Sequence, residues 1–406
     1  MTSSGYTTLF LDMNSYFASV EQQLRPELRG RPVAIAPVNT DYTCCIAASY
    51  EAKAYGVKTG SGVGEAKKLC PGLRVVLARP EIYVRVHHKI VEAVETCLPV
   101  ESVDSIDEMT CRLTGSQRAP EAALALARRV KRAIRERAGE CLRCSVGLAT
   151  NRVLAKLATN MQKPDGLVAI AREELPEKLY GLEVTDLPGI GTRMGARLRC
   201  CGAGTMRELC ALSEQQMADI WQSVVGRRWW HWLRGEDVPL APTRRQSVGH
   251  QHVLPPELRN GEAARAVLVR LLHKAAARMR DMGYCAGQLT VRVEHRHGVA
   301  WVRKAPLGGT QDTLMIVRVF AGLWPSRPAR MPYAVGVTLH DLEPEERATQ
   351  SMLPIDQARA RLGRAMDSLN ARYGFHTIYP LSMHDARDSA PMRIPFSSIP
   401  KLDLAE

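Results

Sequence analysis

The sequence predicts an α+β protein built from several domains. Its 406 residues exceed what one hydrophobic core usually serves. Short apolar strands alternate with amphipathic helices over residues 7–161, and a helical stretch then separates them from a second strand-rich region at 247–342. With 45% hydrophobic and 24% charged residues, the composition excludes a largely disordered chain.

The first region has a regular order of elements. Residues 7–12 form an apolar run that ends on a carboxylate, which is typical of a buried strand. In residues 120–137, Leu126, Val130 and Ile134 recur every fourth position among arginines and lysines, which indicates an amphipathic helix. The predicted elements are strands 7–12, 31–36 and 144–148, a strand pair around an acidic turn at 103–113, and helices 15–24, 80–98, 120–137 and 151–161.

The second half of the chain changes character twice. Residues 172–240 are predicted to be helical with many short breaks, and Arg244–Gln246 marks a linker. Strict alternation of apolar and polar residues predicts strands at 288–296 and 333–339. The remaining predicted elements are helices 261–280 and 357–372, before a Pro/Ser-rich end.

Charge and cysteine content narrow the functional class. The formal net charge of +13 favours a polyanionic partner such as nucleic acid; an anionic membrane surface is the alternative. No apolar run is long enough to span a membrane, and Asp12 interrupts the short apolar stretch near the N-terminus, so no secretory signal is predicted. The 11 scattered cysteines are therefore expected to be reduced, and the protein cytoplasmic.

Three carboxylates are candidates for metal chemistry. Asp12 ends the first strand, and Asp107 and Glu108 lie in the acidic turn. Carboxylate oxygens suit Mg²⁺, and two such ions can hold the attacking and leaving oxygens of a phosphoryl displacement. Taken alone, an acidic pair is more often a solvated turn.

The residues around these carboxylates form a specific series. It consists of Leu11–Glu21, Arg31–Val33, Ser49–Lys58, Ser105–Glu108, Ser145–Asn151, Leu154–Ala158 and Lys163–Gly166. In order, spacing and content this series resembles the Y-family (translesion) DNA polymerases of the bacterial DinB/UmuC-like kind, over roughly residues 6–345.

The resemblance implies a right-hand polymerase fold and its reaction. The expected parts are a palm (1–15 and 79–171), small fingers (16–78), a helical thumb with a helix-hairpin-helix (172–240), an α+β little finger (245–346) and a tail (347–406). The expected activity is template-directed addition of dNTPs to a primer 3′-OH, with low fidelity, lesion tolerance and no proofreading. Primer-template DNA is the implied partner, and a monomer the expected state.

The resemblance also assigns the active-site residues. Asp12, Asp107 and Glu108 match the catalytic carboxylates that hold two Mg²⁺ ions, and the carbonyl of Met13 completes the metal set. The residues matched to the incoming nucleotide are Tyr16, the steric-gate residue Phe17, and the triphosphate-binding Tyr50, Lys53 and Lys163. Without the family match, Phe17 is more simply a core aromatic and the lysines ordinary surface residues.

Four positions depart from the family pattern. Asn14 stands where many members have Asp, as in the UmuC-type branch. Ala47 replaces a phosphate-binding Thr or Ser, and Lys53 replaces an Arg that can bind bidentately. Thr110 replaces an aromatic residue expected beneath the nucleotide sugar, which puts sugar selection in question. None of the four removes a carboxylate.

Several other residues are candidates for DNA contact. Gly189 and Gly191 resemble a helix-hairpin-helix hairpin, with Arg193 following, although such a stretch is also a common turn. Arg292 and Arg303 of the little finger could bind backbone phosphate or simply form a solvated face. Structural roles are predicted for a tryptophan cluster and a lone CxxC, namely Trp221, Trp229, Trp230, Trp232, Cys141 and Cys144.

Gln350–Pro354 resembles a degenerate sliding-clamp peptide, in which Pro354 replaces the usual aromatic; a plain linker is the alternative.

Two other functions compete with polymerisation. One is a non-catalytic DNA-binding adaptor of a mutagenesis complex, and the other a basic protein that has only the helix-hairpin-helix. The intact carboxylates oppose both, whereas Ala47 and Thr110 keep the adaptor hypothesis open.

Overall fold

The computed structural model describes residues 5–239, 244–348, 354–374, 377–387 and 389. The chain divides near residue 240 into two compact units. The first unit contains β1 (Thr8–Met13), α1 (Tyr16–Leu24), β2 (Val33–Ala36), β3 (Ala47–Ala48), α2 (Tyr50–Lys53), α3 (Val63–Leu69), β4 (Arg74–Leu77), α4 (Pro80–Glu95), β5 (Ser102–Val103), β6 (Glu108–Arg112), α5 (Pro120–Arg137), β7 (Cys144–Ala149), α6 (Arg152–Met161), β8 (Leu167–Ile170), α7 (Thr192–Cys200), α8 (Met206–Ala211), α9 (Glu214–Trp221) and α10 (Val224–Trp232).

A five-stranded sheet in the order β5-β6-β1-β7-β8 forms the centre of this unit. β1 is antiparallel to both β6 and β7, and only β7 and β8 are parallel. Alternate residues of β1 face opposite sides of the sheet. Leu9 and Leu11 pack with residues of α4 and α5, whereas Phe10 packs with residues of α6. Both faces are therefore covered, and the polar groups lie at the strand ends.

A smaller three-stranded sheet, β3-β2-β4, has its own core. Its buried residues are mostly alanines, valines and cysteines, including Ala34, Cys45, Val57 and Val63. Small side chains allow α2 and α3 to approach this short sheet closely.

The helices α7 to α10 form a third layer that packs on α6. Trp229 and Trp232 are buried in its core, and Trp221 and Trp230 pack against them. The structural role predicted for the tryptophans is confirmed. All eleven cysteines are free thiols, and Cys144 is buried on β7, as the structural interpretation of the CxxC predicts for that residue.

The second unit contains β9 (Ser247–Val253), α11 (Gly261–Asp281), β10 (Tyr284–His295), β11 (Trp301–Thr310), α12 (Thr313–Leu323), β12 (Pro332–Pro344) and α13 (Pro354–Tyr373). The strands form an antiparallel sheet in the order β11-β10-β12-β9. α11 and α12 cover one face, where Leu289, Val291 and Val337 are fully buried beneath Leu268 and Ile316.

The described part of the C-terminal region packs on the second unit. The Arg280 guanidinium on α11 donates to both carboxylate oxygens of Asp367 on α13, at 2.6 and 3.0 Å. A second arginine of α11, Arg270, donates to the carbonyl of Ala386 at 2.8 Å. Two arginines of one helix therefore attach α13 and the turn at 381–386.

The predicted α+β class is confirmed, and every predicted helix and strand overlaps an element of the structure, although some bounds differ. The structure adds elements that were not predicted, namely β3, β4, β8, β9, β11, α2, α3 and α12. α4 ends at Glu95, three residues before the predicted end. α12 was not predicted, because its β-branched Ile316, Val317 and Val319 lower the local helix propensity. Burial of Ile316 and Phe320 against α11 compensates for that local preference. Within the described ranges, no helix is long and apolar enough to cross a membrane.

Candidate active site

Strand pairing brings the predicted carboxylates to one edge of the five-stranded sheet. Asp12 on β1 lies directly opposite Glu108 on β6. The amide of Met13 donates to the carbonyl of Asp107 at 2.8 Å, so the acidic turn lies against the end of β1. Residues far apart in the chain thus become neighbours.

Each carboxylate has a polar partner. Lys163 donates to Asp12 at 2.6 Å, and Lys156 donates to Glu108 at 2.7 Å. The Ser105 hydroxyl donates to Asp107 at 2.5 Å. Burial raises the pKa of Asp12 above its usual value; Lys163 opposes this shift, and the two other carboxylates add to it. Three carboxylates thus lie at this edge, and two of them pair with a lysine.

The backbone brings the candidate metal ligands to one strand edge, but their side chains do not converge on one point. Among the described residues, no three His, Cys, Asp or Glu side chains converge on one point. Asp12 and Glu108 instead point their oxygens at lysine ammonium groups. The donor chemistry nevertheless fits Mg²⁺, since hard carboxylate oxygens and the Met13 carbonyl lie at one strand edge. Rotation of these side chains away from Lys156 and Lys163 would be needed to gather the oxygens.

Phe17 lies at the start of α1 and is 8% exposed. Its ring stacks on Tyr83 of α4, with 4.5 Å between centroids and 17° between planes. The neighbouring Tyr16 donates its hydroxyl to the carbonyl of Tyr83 at 2.6 Å. α1 and α4 therefore hold two of the three predicted nucleotide-binding aromatics, Tyr16 and Phe17, against Tyr83, which sequence analysis did not identify.

A buried ion pair fixes Tyr83 in turn. Glu21 is fully buried and accepts the Tyr83 hydroxyl at 2.9 Å. Arg79 donates to both oxygens of Glu21, at 3.0 and 2.6 Å. The sequence did contain an indication of this pair, since Glu21 follows Phe17 by four residues on the apolar face of the predicted helix. A carboxylate at such a position requires a buried partner.

Tyr50 and Lys53, predicted to bind triphosphate, lie together on α2. The Lys53 ammonium lies 4.4 Å from the centroid of the Tyr50 ring. Burial lowers the pKa of Lys53, and the charge of Lys163 lowers it further while Asp12 raises it. Burial also raises the pKa of Tyr50, as does the charge of Asp12. Tyr50 and Lys53 contact each other, as do Asp12 and Lys163, and the two pairs lie within electrostatic range of one another.

Asn14 connects β1 to the loop that carries Lys163. Its side-chain oxygen accepts the Asp165 amide at 2.7 Å, and its side-chain nitrogen donates to Ser145 at 3.1 Å. An asparagine can make both contacts at once, because it carries a donor and an acceptor, whereas a carboxylate has only acceptors. The departure at Asn14 therefore has a structural role in this chain.

Thr110 lies on the sheet face opposite the cluster that contains Phe17. It pairs with Phe10, whose ring packs with α6, and it is almost fully buried. Its hydroxyl donates to Asp104 at 2.7 Å, and Asp104 also accepts from Arg152. Ala47, a departure in the expected fingers region, is buried on β3.

His87, which sequence analysis did not identify, supports the acidic turn. It is buried on α4, and its Nδ1 lies 2.8 Å from the carbonyl of Ile106, directly before Asp107. Burial lowers the pKa of His87 to about 4. The ring is therefore neutral at pH 7, and Nδ1 must carry the proton to donate to the carbonyl.

The low pKa of His87 predicts acid sensitivity. An unfolded chain binds this proton near the ordinary pKa of 6.5, whereas the folded chain resists it down to about 4. Stability is hence lost as pH falls between these values, by up to about 1.4 kcal/mol per pH unit. In urea unfolding at several pH values, the free energy of unfolding should fall less on acidification in His87→Gln than in the wild type. His297→Gln, at an exposed position, should lose as much stability as the wild type. If the unfolding free energy fell equally steeply with pH in all three proteins, the prediction would be wrong.

The hairpin residues occupy the start of α7. Gly189 has φ +89°, a conformation that favours glycine, and Gly191 directly precedes the helix. Arg193 is exposed in the first helical turn. This geometry is compatible with phosphate binding by backbone amides.

The sheet register separates the two arginines predicted to bind DNA in the second unit. Arg292 pairs with Val302 on the open face, where it forms an ion pair with Glu294 at 2.8 Å. Arg303 pairs with the buried Val291 and therefore lies on the helix-covered face, at the sheet edge. Lys304, the next residue, is exposed on the open face. The predicted clamp peptide, Gln350–Pro354, falls outside the described residues except for the first position of α13.

Two family models match the chain. The impB/mucB/samB family matches residues 11–160, and the impB/mucB/samB family C-terminal domain matches residues 245–352. Both carboxylate segments lie in the first match.

Two sequence relatives and one solved structure are similar to this chain over most of its length. DNA polymerase IV of Moorella thermoacetica is 36% identical, covering 93% of this chain and 96% of the relative. DNA polymerase IV of Pelotomaculum thermopropionicum is 32% identical, covering 91% and 93%. A solved structure, the Y-family DNA polymerase chimera Dbh-Dpo4(243-245)-Dbh, has a TM-score of 0.69 and 24% identity, and the match covers 82% of this chain and 98% of that one.

Proposed function

The chain belongs to the impB/mucB/samB family, the Y family of DNA polymerases, and we propose that Asp12, Asp107 and Glu108 are its catalytic carboxylates. The protein is a template-directed, metal-dependent DNA polymerase of low fidelity that serves translesion synthesis. The observation that supports the proposed site best is the pairing of Asp12 with Glu108, beside the hydrogen bond between Met13 and Asp107.

In the proposed reaction, the primer 3′-OH attacks the α-phosphate of a dNTP. A new phosphodiester bond forms, the bond between the α- and β-phosphates breaks, and pyrophosphate leaves. Two Mg²⁺ ions, when bound by the carboxylates and the Met13 carbonyl, would neutralise the charge that develops on the phosphate. Lys53, Lys163 and the Tyr50 hydroxyl would bind the triphosphate oxygens.

The proposed domain assignment follows the sheets. The five-stranded sheet supports a palm at 1–15 and 79–171, and the three-stranded sheet supports fingers at 16–78. The helices α7 to α10 support a thumb at 172–240, and the second unit supports a little finger at 245–346. We also propose a cytoplasmic monomer.

Removal of metal tests the proposed Mg²⁺ requirement. We expect EDTA to abolish primer extension, because without metal ions the carboxylates repel the triphosphate and nothing neutralises the charge that develops on it. Added Mg²⁺ should restore it, and Ca²⁺, which tolerates a looser geometry, should support extension less well. Extension that persists in EDTA would contradict the proposal. If titration showed that polymerisation needs only one bound ion, the proposal of two Mg²⁺ ions would be wrong.

We propose further that Gln350–Pro354 binds a sliding clamp, on the strength of the peptide resemblance alone. Replacing Gln350 and Leu353 with Ala should reduce stimulation of extension by the clamp, without changing extension in its absence. Gln357→Ala, in α13, is the matched control. Unaltered stimulation in the double variant would leave this segment as a linker.

A further inference from the structure

A basic pocket lies beside α5, separate from the catalytic carboxylates. It is a cavity of about 380 Å³, lined by Lys131, Arg132, Arg135, Leu142, Arg143 and Cys144 together with Asp165. Four of these side chains are cations, and they come from two elements, the second half of α5 and the turn before β7. Their convergence on one concavity distinguishes them from an ordinary solvated helix face.

The charge of this pocket is only partly balanced within the described part of the chain. Asp165, the one carboxylate in the described lining, already pairs with Lys131 at 2.8 Å. Within the described residues, no carboxylate forms an ion pair with Arg132, Arg135 or Arg143. Three like charges around one cavity repel one another, and an anion between them would relieve that repulsion.

The lining also indicates what kind of anion fits. Guanidinium groups bind phosphate oxygens with paired hydrogen bonds. The described lining includes no aromatic ring on which a base could stack, and Leu142 and Cys144 are buried. Recognition must therefore depend on phosphate rather than on a base. The volume is at the small end for ligand sites.

We propose that this pocket binds a small polyphosphate anion, either free pyrophosphate or the phosphate tail of a nucleotide. Its floor is the loop that follows Lys163. Lys131 donates to the carbonyls of Asp165 and Gly166 at 2.5 and 3.0 Å, while the Asp165 amide donates to Asn14. The pocket and the Asp12–Lys163 pair therefore share one loop, and an anion bound by Arg132, Arg135 and Arg143 would lie beside it.

Calorimetric titration of the full chain with sodium pyrophosphate, in EDTA, tests the proposal. The pocket variant is Arg132→Ser/Arg135→Ser/Arg143→Ser. The control, Arg118→Ser/Arg128→Ser/Arg137→Ser, removes equal charge from exposed positions outside the pocket. We expect the wild type and the control to bind alike. The pocket variant should lose about tenfold in affinity for each arginine removed, since each loses a charge-assisted hydrogen bond.

Two further titrations separate the pocket from other sites. Binding should persist in Lys53→Ser/Lys163→Ser, which removes the proposed triphosphate contacts. Equal affinity for pyrophosphate and dATP would identify a site for phosphate alone, and tighter dATP binding a nucleotide as the source. Primer extension by the pocket variant should stay within about twofold of wild type, so a failure here leaves the polymerase function untouched.

Three results would overturn the proposal. The first is no pyrophosphate binding by the wild type. The second is equal binding by the wild type, the pocket variant and the control. The third is binding of single-stranded oligonucleotide, but not pyrophosphate, that depends on the three arginines, which would make this surface a contact for the DNA backbone.

Discussion

Primer extension is expected to fall by at least about a thousandfold in Asp107→Ala/Glu108→Ala, because the variant loses two of the three proposed metal-binding carboxylates. Steady-state extension of a labelled primer with Mg²⁺ and dNTPs measures this loss. The acidic turn should survive the change, since its hydrogen bond to Met13 uses the backbone carbonyl of Asp107. The variant should therefore still bind primer-template DNA.

Glu95→Ala/Glu101→Ala is the matched control for this prediction, because it removes two exposed carboxylates near the same sheet and should extend normally. Two outcomes are informative beyond the rate. If wild type and the Asp107/Glu108 variant extend equally poorly while both bind DNA, the chain is a non-catalytic adaptor. If only the variant fails, the carboxylates carry the chemistry.

Ribonucleotide incorporation is expected to rise by about 10- to 100-fold, relative to dNTP incorporation, in Phe17→Ala. The physical reason is steric, since the stacked Tyr83 ring prevents Phe17 from moving aside to admit a 2′-OH. The kcat/KM ratio for rNTP and dNTP insertion on one template measures the change. Phe17→Leu, which keeps more of the packed volume, should show a smaller rise.

Tyr55→Ala, at an exposed aromatic of the same region, is the control and should leave the ratio unchanged. An unchanged ratio in Phe17→Ala, with dNTP insertion intact, would show that Phe17 is only a core residue. Loss of both activities together would point instead to damage in the packing of Tyr16, Phe17 and Tyr83.

The secondary structure of the first unit follows largely from local patterns. α5 begins and ends at the predicted residues. Its apolar spacing indicates the buried face, and Pro120 indicates the first helical position. The strand pair around Asp107 was equally predictable, since short apolar runs flank an acidic turn. α12 was not, because burial against α11 outweighed its β-branched sequence.

The residue roles divide in the same way. The motif series alone leads to the proposal that Asp12, Asp107, Glu108 and Phe17 carry the chemistry, since its order and spacing resemble one family. Folding, by contrast, selects the groups that surround them. The pairing of Lys156 with Glu108, the ion pair of Glu21 with Arg79, and the placement of Arg292 and Arg303 on opposite sheet faces all depend on contacts between distant segments. Local periodicity records which face a residue occupies within its own element, but not which element will cover that face.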